Sequence, residues 1–199
     1  VGFPGIVSTL CNEPCSKVCA LKDAGGSISI KLLEQASIGF ARNTNPDQYN
    51  IPQKNKSVSI IGAGISGLAC ALRLAARKYS VTIYERSDRI GGHIHGLMKP
   101  DLFMADIERQ FMNETYSLCL NTQITYITSL SFDACYVATG NRGSDFGLFH
   151  GGSGLIATER MGVFLGGSLT GAGTMQAIAH GLRAASAIET FLKTGNMNQ

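Results

Sequence analysis

Residues 56–93 read KSVSIIGAGISGLACALRLAARKYSVTIYERSDRIGGH, and three glycines in this run, Gly62, Gly64 and Gly67, constrain the fold more than any other feature. They stand between a short apolar run, VSII, and an Ala/Leu-rich stretch, GISGLACALRLAARK, that reads as a helix. A second apolar run, SVTIYE, follows. Strand, helix, strand makes a βαβ unit, so the fold class is α/β with a parallel sheet.

Each glycine has its own physical reason. Gly62 permits the tight strand-to-helix turn, Gly64 lets backbone approach a pyrophosphate, and Gly67 lets the helix pack close on the strand. The start of that helix offers unpaired N–H groups and a partial positive charge, both suited to a diphosphate. Glu85 lies 21 residues after Gly64, at the end of the second apolar run. A carboxylate there can accept both ribose hydroxyls of an adenosine and repels a 2′-phosphate. No Lys-Ser/Thr pair follows the glycines, which excludes a P-loop.

The rest of the chain continues the alternation. Residues 101–113 read as a helix, 119–127, 132–140 and 162–168 as strands, and 173–195 as a long closing helix. That last helix carries an apolar stripe of Met175, Ile178, Leu182, Ala185, Ile188 and Leu192, and Gly195 suits its end. Upstream, residues 27–41 give a helix with Ile30, Leu33, Ser37 and Phe40 on one stripe and Ser29 as N-cap. The polar, two-proline run 43–56 reads as a linker. The expected organisation is therefore a helical Cys-bearing segment over 1–42, a linker over 43–56 and a Rossmann-type domain over 57–199.

Six cysteines divide into two sets. Cys70, Cys119 and Cys135 lie in apolar segments and read as core thiols. Cys11, Cys15 and Cys19 fall within nine residues, a spacing that argues for metal rather than disulfides. The formal net charge of +3 is too small to argue for nucleic acid, and no Lys/Arg run appears, so no nucleic-acid partner is expected. No apolar stretch reaches the ~20 residues of a membrane span. The first ten residues lack the basic region of a signal peptide, so a cytoplasmic location is expected. Charged residues are only 16% of the chain, which suits a surface that faces a ligand or another chain as well as it suits a Gly-rich enzyme with long loops.

The continuation ERSDRIGGH, with Gly91 and Gly92 six residues beyond Glu85, resembles the E-x5-G-G arrangement of two-dinucleotide-binding flavoproteins. FDACYVATG resembles their hydrophobic-ATG strand, and GVFLGGSLTGAGTMQAIAHGLRAASAIETFL resembles their C-terminal FAD segment. LCNEPCSKVCALKDAGGSISIKLLEQASIGFA resembles the N-terminal iron–sulfur segment of the glutamate synthase small subunit and its relatives. The resemblance covers nearly the whole chain. It implies an FAD-binding electron-transfer subunit of a multi-subunit iron–sulfur oxidoreductase, with partner subunits that bind clusters and substrate or NAD(P)H. The implied FAD contacts are Gly62, Gly64, Ile65, Ser66, Gly67, Glu85, Arg86, Gly91, Gly92, Ala138, Thr139, Gly140, Gly167, Ser168, Gly173 and Thr174. The implied ligands of a [4Fe–4S] cluster are Cys11, Cys15, Cys19 and Glu34, completed from elsewhere. Zinc, or a remnant motif without metal, remains open for the same thiols.

The sequence departs from that family in three ways. The upstream Cys stretch is absent. Only 25 residues, 141–165, separate Gly140 from Gly166, too few for the NAD(P)H-binding unit the family inserts there. Ser168 replaces the acid that meets the ribityl chain, which implies weaker FAD binding or an altered potential. Two further readings are a self-contained NAD(P)H-dependent oxidoreductase and a structural FAD module without turnover. His93 and His95 flank the glycine pair and read as packing or FAD contact, while His150 has no evident partner.

Overall fold

The computed structural model describes residues 2–148 and 156–197, so His150 lies outside the described residues. A five-stranded parallel sheet organises the chain: β1 (Ser57–Ile61), β2 (Ser80–Tyr84), β3 (Ser117–Cys119), β4 (Ala134–Val137) and β5 (Val163–Leu165), in the order β3-β2-β1-β4-β5. The helices are α1 (Pro4–Leu10), α2 (Ile30–Phe40), α3 (Ile65–Ala76), α4 (Pro100–Phe111) and α5 (Thr174–Thr194). The predicted α/β, Rossmann-like fold is the observed one. Among the described residues, no helix is long and apolar enough to cross a membrane.

Strand periodicity sorts the core into two faces. Val58, Ile60, Ala134, Tyr136 and Phe164 point to the side covered by α1, α3, α4 and α5. Ile61, Cys135, Val137, Val163 and Leu165 point to the other side, where Ile124, Ile127, Leu130, Phe132 and Leu148 cover them from irregular segments. Cys70 and Cys135 are fully buried, as their apolar settings predict, and burial pushes the Cys135 thiol up to about 12.

The stretch expected as a strand over 119–127 is different. β3 begins at Ser117 and ends at Cys119, and the chain then turns. Thr122 N–H donates to the Glu85 carbonyl and Asn121, in the left-handed region, donates its N–H to the Ser87 carbonyl. Pairing therefore ends where β2 ends, and the alternating residues beyond it belong to a connection.

The N-terminal residues hold a helix to which the sequence gives no separate signal within the helical segment 1–42. α1 starts at Pro4 and buries Phe3 and Ile6 against α4 and α5. No side chain of its own caps it; Asp106 on α4 instead accepts the Ile6 N–H at 2.8 Å. Burial lifts the Asp106 carboxyl above its ordinary range, against the pull of the Ile6 and Gly5 N–H groups. Helix α2 forms where expected, with Ser29 Oγ accepting the Leu32 N–H. Its rotation differs. Lys31 donates to the Cys11 carbonyl and Gln35 to the Ser8 carbonyl, so those polar residues face the α1 side. The apolar stripe is consequently open, with Phe40 88% exposed.

Two contacts make testable demands. A Cβ on Gly181 of α5 would collide with the Ser66 carbonyl and come within 3.1 Å of the Cys70 backbone N on α3. Helix propensity alone favours Gly→Ala by ~1 kcal/mol. Backbone-on-backbone crowding outweighs it, so Gly181→Ala should lose about 1–3 kcal/mol in urea unfolding. Asp106→Ala should cost about 1–2 kcal/mol, the scale of a lost helix cap. Hydrogen exchange should then quicken at residues 5 and 6, while Asp106→Asn retains most of the protection.

Candidate functional site

Strand order reverses between β1 and β4, because the chain leaves β1 toward β2 and leaves β4 toward β5. Ligands of open parallel sheets bind at the carboxyl ends of the strands beside such a switch. A cavity of about 510 Å³ lies there. Of the sixteen residues predicted to contact a dinucleotide, fourteen line it; Gly67 and Gly167 stand behind the wall. Ser87, His93, Ile94, Asn141, Gly171, Ala172 and Ala177 also line it.

The glycines separate by what a side chain would meet. At Gly62, φ is +107° and a Cβ would strike the Ala138 carbonyl. At Gly67 it would strike the Gly62 carbonyl and crowd Ile60. These two are required by the fold. Gly64, with an ordinary φ of −72°, would meet no protein atom within 4 Å. Its missing side chain opens onto the cavity, which is what close approach of a ligand to backbone requires.

The same arrangement recurs at α5. Residues 62–64 and 171–173 both read Gly-Ala-Gly. In each, the first glycine has positive φ, +107° and +82°, and the second is the N-cap of a helix with φ near −70°. A Cβ on Gly173 again meets nothing. Two helix starts thus open on one cavity, and first-turn N–H groups have no intrahelical acceptor. The repeated tripeptide was the sequence signal for Gly171 and Ala172. Asn141 and Ser87 follow predicted site residues and carry no signal of their own.

The glycine pair closes the third side. Gly91 N–H donates to the Ala63 carbonyl, Gly64 bridges Gly91 in parallel, and a Cβ on Gly92 would lie 3.2 Å from the Gly64 Cα. The two glycines have φ of +102° and +55°. Their role is to lay one glycine loop directly on another.

Glu85 does more than the sequence reading allots to it. One carboxylate oxygen accepts the Ala63 N–H at 2.8 Å; the other accepts the Ser87 N–H at 2.9 Å and hydroxyl at 2.7 Å. With about four lone-pair positions on a carboxylate, one is left for a sugar hydroxyl. Glu85 thereby ties the loop after β1 to the loop after β2.

Below the cavity is a buried polar layer. Tyr136 OH and Ser66 Oγ share a hydrogen bond of 2.8 Å, and burial raises the Tyr136 phenol far above its ordinary range. His93 lines the cavity, whereas His95 packs edge-on against Phe103 and bonds the Ile90 carbonyl.

The candidate metal ligands are not brought together. Among the described residues, no three His, Cys, Asp or Glu side chains form a metal-binding group. Cys15 and Glu34 are exposed, and Cys11 and Cys19 half-buried. N–H groups of Ile28 and then Leu21, aimed at the sulfur, draw the Cys19 thiol below its usual range.

One substitution separates ligand space from packing space. Gly64→Ala should leave unfolding free energy within about 0.5 kcal/mol of the parent, the ordinary range for a side chain that disturbs no contact. Dinucleotide affinity, measured by titration calorimetry, should fall at least about tenfold. Gly62→Ala should instead lower stability itself.

Residues 60–118 match the family model described as an NAD(P)-binding Rossmann-like domain. The NADPH-Fe(3+) oxidoreductase subunit beta of Geobacter sulfurreducens (strain DL-1 / KN400) is 39% identical over 85 residues, 42% of this chain and 13% of that protein. The glutamate synthase (NADPH) small chain of Bacillus subtilis (strain 168) is 32% identical over 149 residues, 69% of this chain and 30% of that protein. Among solved structures, a 2-naphthoyl-CoA reductase complex with 2-naphthoyl-CoA is 39% identical over 46% of this chain and 15% of that one, with a TM-score of 0.39. The chain spans less than a third of the length of either relative. Over its matched residues the chain is similar, at 32–36% identity, to glutamate synthase small chains and to the putative oxidoreductase AegA of Escherichia coli (strain K12).

Proposed function

We propose that this chain binds FAD and serves as the electron-transferring flavin part of a multi-subunit oxidoreductase. The observation that carries the reading is the pair of helix starts at Gly64 and Gly173. Both leave open space where a side chain would stand, and both turn free N–H groups toward one cavity at the switch point. A diphosphate fits such a cradle. The cavity shares Gly62, Glu85, Arg86 and Thr139 with a second one of about 80 Å³, bounded by Thr122, Gln123, Ile124 and Phe146. A nucleoside continuing past Glu85 would enter it.

Bound FAD supplies the redox chemistry, taking up two electrons and releasing them singly. The residues of this chain bind and orient it. First-turn N–H groups of α3 and α5 oppose negative charge without any titrating side chain. Glu85 offers its remaining lone pair to the ribose, and Arg86 stands beside the diphosphate path. Ser168 offers a hydroxyl in place of a carboxylate, so this contact adds no negative charge near the flavin.

Cys11, Cys15, Cys19 and Glu34 do not form a ready ligand set for a cluster, and no step on this chain is assigned to one. Onward transfer belongs to iron–sulfur and substrate- or NAD(P)H-binding partner subunits, in the cytoplasm. The names of both relatives include NADPH and favour a second reading, a self-contained NADPH-dependent enzyme.

The purified protein, incubated with FAD and desalted, should keep about one flavin per chain. Its visible bands should bleach with a reduced partner or an artificial donor, and not with NADPH alone. Bleaching by stoichiometric NADPH moves the reading to the second function. Flavin that binds but resists every donor indicates a structural module, and failure to take up flavin removes the FAD reading altogether.

A further inference from the structure

One buried titratable side chain has no part in the scheme above. His180 is on α5, 8% exposed, with its ring turned back toward the turn Gly167–Thr170 that precedes the helix. Its Nδ1 accepts the Gly167 N–H at 3.2 Å. Thr170 Oγ1 lies 3.4 Å from the same nitrogen, but its single proton goes to the Gly167 carbonyl at 2.9 Å. Nδ1 is therefore unprotonated, and the ring proton is on Nε2.

The turn it holds is part of the cavity. Ser168, Gly171, Ala172 and Gly173 line the cavity, and Gly167, in the left-handed region at φ +74°, is pressed against Ser66 at the start of α3. We propose that His180 is a positioning residue for the dinucleotide site: as a neutral acceptor at Nδ1 it pins Gly167, and through Gly167 it sets the Ser168–Gly173 run against the ligand. This rests on the FAD reading for the ligand and on nothing beyond the hydrogen bond for the positioning.

Protonation reverses the contact. An Nδ1–H would face the Gly167 N–H, donor against donor, and its nearest acceptor would be Thr170 Oγ1. The turn would then lose one tether and reorient. Burial first, then the Arg183 charge, pulls His180 below the ordinary His range. The charged and titratable groups around it are few. Arg183 is on its own helix, Tyr136 on β4 also crowds Gly166, and Cys70 on α3 lies beyond Tyr136. Cys70 and Tyr136 stay neutral at physiological pH, since burial raises both. Burial and the Arg183 cation both disfavour the imidazolium. The neutral acceptor thus persists through neutral pH and is lost as pH falls through the lowered pKa.

The test uses the whole chain with His180→Asn and His180→Leu. Asn places its amide oxygen close to the Nδ1 position and does not titrate, whereas Leu removes the acceptor. Two quantities are read from pH 8 down to the acid edge of the folded range: FAD affinity by fluorescence quenching, and amide hydrogen exchange at Gly167, corrected for intrinsic pH dependence; a folded parent flat in both to that edge also overturns the proposal. The parent should lose affinity about tenfold on acidification, the scale of one hydrogen bond. His180→Asn should match the parent at pH 8 and stay flat. His180→Leu should be about tenfold weaker at every pH, with Gly167 exchange accelerated. Should His180→Leu not fold, His180→Asn and the parent titration still decide. An Asn variant that keeps the parent's acid dependence, or a Leu variant with unchanged Gly167 exchange, overturns the proposal. If the parent takes up no FAD, the flavin reading fails by itself, and Gly167 exchange judges the positioning without it.

Discussion

The close crossing of α5 on α3 is the contact on which the rest depends. Gly181 brings α5 onto the first turns of α3, and Gly67 brings α3 onto β1. Neither position has room for a methyl group. With both contacts in place, two helices separated by about a hundred residues begin within one cavity. A bulkier pair of residues would still allow a parallel sheet, but the helix starts would part and the N–H groups would no longer serve one ligand. Site geometry is here a consequence of packing distance rather than of any polar side chain.

Within the cavity the polar groups hold the protein as much as the ligand. Glu85 spends three of its acceptor positions on Ala63 and Ser87 and keeps one. It therefore sets the distance between the loops after β1 and β2 before any sugar arrives. His180 does the same for the loop before α5, and the Ser66–Tyr136 bond ties α3 to β4 below. Each of these side chains fixes a loop to its neighbour. Preorganisation of this kind lowers the ordering cost of binding, which is where a mostly backbone-built site gains affinity.

Much of this was legible in the residues, for identifiable reasons. β1, β2, β4 and the long helices have strong periodicity, and tertiary packing agrees with it. Gly62, Gly64 and Gly67 have stereotyped duties that one strand–turn–helix imposes wherever it occurs. The misreadings have equally local causes. Residues 119–127 alternate like a strand, but β3 has only β2 to pair with, and the ladder ends where β2 ends. The stripe Ile30, Leu33 and Phe40 is amphipathic in sequence, yet Lys31 and Gln35 find carbonyl acceptors on the α1 side, and hydrogen bonds decide the rotation of a helix with no deep core to enter. α1 escaped notice because its cap, Asp106, is 100 residues away. The helix start at Gly173 was legible from the closing helix, but the repeat of Gly-Ala-Gly over 171–173 was not read as an echo of 62–64, and Gly171 and Ala172 were missed with it.

The Cys-bearing segment and the cavity are coupled by little more than α1. Ser29 donates to Glu13, Ser27 to Ser16, Lys31 to Cys11 and Gln35 to Ser8, and these hydrogen bonds close the segment. N–H groups of Ile28 and Leu21 draw the Cys19 thiol below its usual range, but among the described residues no three metal-ligating side chains come together there. Phe3 and Ile6 then fasten this unit to the core through α4, on the side of the sheet that carries the helices. The segment thus meets the parallel-sheet domain chiefly through one short helix, whose capping carboxylate, Asp106, belongs to that domain.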